Sequence, residues 1–188
     1  MLFNMIHPIR RKDLFRLGLV LVLAAAARFY HLGTSEYHYD HAVLSQMAQQ
    51  MVETRTLATL GMITSVGVPN TPTSVYVVAL AYVFTADPLL VNAFLIALNV
   101  AGVGLLWLLA HRYFRPGVGL AAGLLYALNP WAIFYSRGIW AQDFLTPFML
   151  AGAVSAANGC AGKTATSPSL ATTSRRQSAC RYSSGSQM

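Results

Sequence analysis

Charge is what this sequence has least of. Only 10% of its 188 residues are Asp, Glu, Lys or Arg, while 55% are hydrophobic, and a soluble domain carries about 25% charge. Acids are scarcer still, 6 against 13 Lys plus Arg. This excludes an ordinary water-soluble globule and points to a membrane protein. The formal charge of +7 would suit a nucleic acid if the basic residues made one patch. They fall instead in short clusters beside apolar runs, a topology signal that leaves no nucleic-acid partner. Cysteine is nearly missing: Cys160 and Cys180 lie near the end without metal-type spacing, so they define neither a zinc site nor a redox compartment. No GxGxxG or P-loop pattern occurs, which removes support for a soluble nucleotide-binding fold.

What is present is a series of long apolar runs. Leu14 to Leu32 is apolar apart from Arg16 and Arg28, which are expected to snorkel from its two ends, and it approaches the roughly 20 residues of a bilayer crossing. Its flank carries Arg10, Arg11, Lys12 and Arg16, so residues 1–13 are assigned to the cytoplasm and the following loop to the outside. A cleaved signal peptide is the alternative, disfavoured because further long runs follow; the loop lies outside either way. Residues 41–54, HAVLSQMAQQMVET, place Leu44, Met47, Ala48, Met51 and Val52 on one helical face and Ser45, Gln46, Gln49, Gln50 and Glu53 on the other. An amphipathic helix on the membrane surface is predicted.

Residues 73–85 are apolar but too short to cross. Residues 88–111 contain no Lys, Arg, Asp or Glu and run into the basic junction HRYFR, after which residues 117–135 are again uncharged. If the junction is cytoplasmic, the run before it travels inward and 73–85 lies in the outer interface. A last apolar stretch gives a span at 143–158. The predicted class is therefore all-α and polytopic. It has about four transmembrane helices, 14–32, 88–111, 117–135 and 143–158, with interfacial helices 41–54 and 73–85 in an outer loop, 33–87. From Gly159 the chain turns Ser- and Thr-rich and acid-free, and residues 159–188 are expected to be disordered. Because the change falls inside what should be a full span, a frameshift or premature end of a longer polytopic protein is expected, with a genuine cytoplasmic tail as the alternative.

The ionisable residues that do occur gather at the outer face. EYHYDH, residues 36–41, holds Glu36, His38, Asp40 and His41. Asp40 just before a helix is a favoured N-cap, and a carboxylate so held also suits a base or cation ligand. The histidines match no metal signature, so a zinc site has no support. In the second outer loop, YSRGIWAQD, Arg137 offers a planar donor fork at the depth of a lipid phosphate, or is simply an interfacial arginine. Asp143 begins a helix and either caps it or joins Asp40.

Taken in order, RFYHLG, the acid heading an amphipathic helix, VGVPNTPTSVYVVAL, HRYFRPGVGLAAGLLYALNP and FYSRGIWAQD resemble the GT-C superfamily of membrane glycosyltransferases. The likeness is to the branch of protein O-mannosyltransferases and aminoarabinose transferases, and it covers roughly residues 10–157. It implies transfer of a sugar from a polyprenyl-phosphate donor to an extracytoplasmic acceptor at the plasma (inner) membrane, with membrane lipids as surroundings. It implies Asp40 as catalytic base or cation ligand, Asp143 as the second-loop acid, Arg137 as the phosphate-binding arginine, and a divalent cation, Mg or Mn, held by Asp40 and Asp143. The chain departs from the family pattern where Asp-Glu becomes Asp40-His41 and Pro-Pro becomes Thr71-Pro72. If truncated, the chain is expected to be inactive alone. The rival class is a transporter fragment or a non-enzymatic membrane protein; a transporter would place charges inside its spans, and from Pro88 to Ser136 they occur only at the junction.

Overall fold

The computed structural model describes residues 8–34, 37–64 and 66–165. Their regular structure is helical; among them the only β feature is an isolated bridge between Ile63 and Pro69. The chain forms two units, Met1–Gly152 and Ala153–Met188. In the second, the described residues are the end of a helix, Leu145–Ala165. The correction concerns residues 159–165, which were expected to be disordered. A helix already nucleated extends cheaply, and the alanines at 161 and 165 favour it; residues 166–188 lie outside the described part.

In the first unit, α1 (Arg11–Phe29) begins where Asp13 accepts a hydrogen bond from the Arg10 amide at 3.1 Å. It stops at Phe29, short of the expected Leu32, because His31 takes a left-handed backbone (φ 50) that no α-helix continues. α4 (Pro88–Tyr113) starts with Pro88 in its first turn and Asp87 accepting from the Leu89 amide at 2.9 Å, a favourable start on both counts. Its 26 residues make it the one described helix long and apolar enough to cross a membrane.

The uncharged run 117–135 is not one helix. α5 (Pro116–Leu128) and α6 (Pro130–Tyr135) are separated at Asn129. Pro130 has no N–H and forces the preceding residue out of the helical region; Asn129 is extended and its Oδ1 accepts from the Trp131 and Ala132 amides. The break leaves the carbonyls of Tyr126 and Ala127 without helical donors, and Arg28 takes the place of those donors. Its Nη2 donates to Tyr126 O at 3.1 Å and its Nη1 to Ala127 O at 3.0 Å. The expectation that Arg28 snorkels is thus overturned: its side chain is fully buried, held by carbonyls that a straight helix would have satisfied itself.

α5 buries only Gly119, Gly123 and Ala127, a small-residue stripe at four-residue spacing that lets backbones approach closely. Against it lie α1 and α4, and Val20, Ala24, Val103 and Ala127 form their shared core. A second core joins α2 (Tyr39–Thr54) to α3 (Thr73–Tyr82), with Leu44, Ala48, Val75, Val78, Val91 and Leu95 at its centre. The apolar face of α2 is spent on α3, which in turn packs on α4, and Ser45, expected on the polar face, is buried with it. The α1 start and the α4–α5 junction share one end of the bundle, where His111 Nε2 lies 4.0 Å from Asp13 Oδ2.

Candidate functional site

At the other end the two polar loops meet. α2 starts two residues earlier than expected, so His38, not Asp40, is its N-cap and Asp40 sits inside the first turn. This corrects the capping assignment, and the register decides which side chain faces where. Asp40 is exposed and borders a cleft of 410 Å³ with Tyr39, Val43, Met47, Gly61 and Pro69. His41, one residue on, turns inward and is buried.

His41 reaches the second loop at Gly138. A methyl group added there would lie 3.0 Å from His41 Cε1 and 2.6 Å from Asp143 Oδ2, so glycine keeps the space between the imidazole and the carboxylate open. Arg137 and Gly138 line a cleft of 180 Å³ together with Leu32, Tyr37, His41 and Asn92. Arg137 donates through Nη2 to His31 O. Asn92 Nδ2 donates to Arg137 O at 2.9 Å, which ties the loop to α4. Three elements remote in sequence thereby position one arginine. Arg137 Nε, Asn92 Oδ1 and Asp143 Oδ1 are buried with no hydrogen-bond partner among the described residues, polar groups left available at a cost that invites a ligand.

Asp143 precedes the helix Leu145–Ala165 by two residues. Burial (7% exposed) pushes its carboxyl up to about 7, with a backbone hydrogen bond at Trp140 pulling the other way. A native carboxyl that binds its proton more tightly than the unfolded chain loses stability as pH rises from about 4, where the unfolded chain ionises, to about 7, where the native group does. Asp143→Asn should therefore be the more stable form at pH 8, by at most about 4 kcal/mol, and close to the parent at pH 4. Denaturant melts of both forms at the two pH values check this; a difference independent of pH would remove the buried-acid assignment.

The structure thus brings Arg137, His41 and Asp143 together and leaves Asp40 on a separate cleft. Among the described residues no three His, Cys, Asp or Glu side chains are placed to hold a metal ion. Asp40 borders the 410 Å³ cleft and Asp143 packs beside Gly138, and no step is routed through a metal. Glu36 lies outside the described residues. Asn92 went unnoticed in the sequence, although it and Asn99 are the two amides of an uncharged apolar run, and amides so placed mark interior polar contacts. No family model, curated protein or solved structure matches the chain.

Proposed function

We propose that this end of the molecule is the donor site of a membrane glycosyltransferase, in which a sugar passes from a polyprenyl phosphate to an acceptor hydroxyl outside the cytoplasm. The proposed topology has four crossings: α1, α4, α5 with α6, and the helix beginning at Leu145. The basic end is cytoplasmic, and α2 and α3 lie in the outer loop. The observation that carries the reading is the meeting of the two loops around Arg137, at the end away from the basic N-terminus.

In this reading the Arg137 guanidinium, still holding donors beyond the one spent on His31, takes the charge that develops on the leaving phosphate. Asp40 borders a different cleft, but it is one residue from His41, which lines the Arg137 cleft; in this reading the acceptor enters from the Asp40 side and gives it the hydroxyl proton, a role worth typically about 10²- to 10⁴-fold. Asn92 and His31 hold the arginine in place through their contacts with it. The two roles separate experimentally. Arg137→Gln should weaken retention of a polyprenyl phosphate probe about tenfold or more, measured on purified protein in detergent. Asp40→Asn should leave that retention intact while lowering transfer from a labelled polyprenyl-phosphate sugar by about 10²-fold or more in membranes. Undiminished retention in the first variant rejects the phosphate site; unchanged turnover in the second rejects the base.

A further inference from the structure

We infer that the opposite end of the bundle holds the phosphodiester headgroup of an anionic glycerophospholipid, in a site made where the start of α1 meets the α4–α5 junction. Six cations gather on these segments: Arg10 at the N-cap of α1, Arg11, Lys12 and Arg16 on it, and Arg112 and Arg115 at the junction. All are exposed except Arg112, which is half-buried. Arg10, Lys12 and Arg16 line a cleft of 300 Å³ with Pro8, Asp13 and Pro116.

Asp13 does not neutralise this cluster. It is buried, accepts from the Arg10 amide and pairs with Arg16 at 3.6 Å, so its charge is spent in orienting Arg16 and closing the first turn. No other acid occurs on α1 or anywhere from Pro88 to Gln142. The cleft therefore presents a net positive charge that nothing in these segments answers, and its complement is an anion.

The surroundings identify which kind of anion. Next to these cations in the chain are the exposed apolar side chains Leu14 (55%), Phe15 (75%), Phe114 (65%) and Val118 (43%). In the proposed topology, on which this choice of anion rests, α1 enters the bilayer from this end, so the cleft lies at headgroup depth, where the anion at hand is a lipid phosphodiester. A lipid answers both the cations and the apolar side chains, with its phosphodiester on Arg10, Lys12 and Arg16 and its acyl chains along the latter. This site is independent of glycosyl transfer and lies at the other end of the molecule from Arg137.

The test is native mass spectrometry of the whole chain from detergent micelles doped with either phosphatidylglycerol or phosphatidylcholine, a setting that does not depend on insertion orientation. Wild-type protein is expected to retain phosphatidylglycerol and to lose phosphatidylcholine. Arg10→Gln, Lys12→Gln and Arg16→Gln combined should cut retention at least about tenfold. Arg55→Gln, a cation at the far end of α2, should change nothing. Millimolar inorganic phosphate should not displace the lipid. Circular dichroism checks that the triple variant keeps its helices; should it unfold, Lys12→Gln alone, at an exposed side chain, is expected to cost about threefold to fivefold. Equal retention of the two lipids, full retention by the charge-deleted variants, or displacement by free phosphate would each overturn the proposal.

Discussion

Arg28→Met should lower the unfolding free energy by about 2–4 kcal/mol, because it leaves two carbonyls bare in an apolar interior, a loss only partly offset by no longer burying a cation. The side chain is 0% exposed and donates to Ala24 O, Ala127 O and Tyr126 O. In an unbroken helix Tyr126 O would receive the N–H of residue 130 and Ala127 O that of residue 131. Residue 130 is proline, and the Trp131 amide is turned to Asn129 Oδ1. The guanidinium therefore substitutes for two missing backbone donors. Pro130→Ala restores one of them, so Arg28→Met should cost about 1–2 kcal/mol less in that background than in the parent. Unfolding in detergent, followed by circular dichroism for the four members of the cycle, measures the difference. Equal penalties in both backgrounds would mean that the guanidinium serves some other purpose.

The second large effect is expected at Gly119→Ala. A methyl group there would sit 2.7 Å from His111 Cβ, 2.8 Å from its Cα and 2.9 Å from its N. These atoms belong to α4 itself and cannot swing aside, so α5 must move away from α4. The displacement would carry to Gly123, whose own approach to Trp107 and Val20 is 3.3 Å, and to the stacked rings of Trp107 and His111, 4.5 Å apart. Overpacking of this kind costs about 1–3 kcal/mol, and the upper part of that range applies where the obstacle is backbone. Gly117→Ala is the control, since a methyl there meets nothing within 4 Å. Thermal unfolding of both variants in the same detergent decides the matter; similar melting points would show that the α4–α5 approach is soft.

Much of the fold was legible in the sequence because it rests on local patterns. An uncharged run of α4's length, headed by Asp-Pro, has few alternatives to a capped helix. The apolar face of α2 was visible in its spacing, although what covers that face was not, since α3 lies beyond a long loop. The break at Asn129–Pro130 was written in the dipeptide but hidden by the even hydropathy around it. Arg28 was misread for a different reason: an arginine near a helix end ordinarily reaches for water, and its partners here stand 98 and 99 residues away. At the site, a two-residue shift in where α2 begins moved Asp40 outward and His41 inward. A boundary error of that size is ordinary, and here it moved the N-cap from Asp40 to His38 and hid that His41 faces inward.

The tie between Arg28 and the end of α5 also has a schedule. Chains grow at roughly 5–20 residues per second, so the 98 residues between Arg28 and Tyr126 take about 5–20 s to synthesise. Throughout that interval a cation destined for a dry interior has nothing to hold it there. If α1 crosses the membrane as proposed, the first helix of the nascent chain must sit shallow, with its guanidinium in contact with headgroups or water, and settle only when the proline-broken helix arrives to receive it.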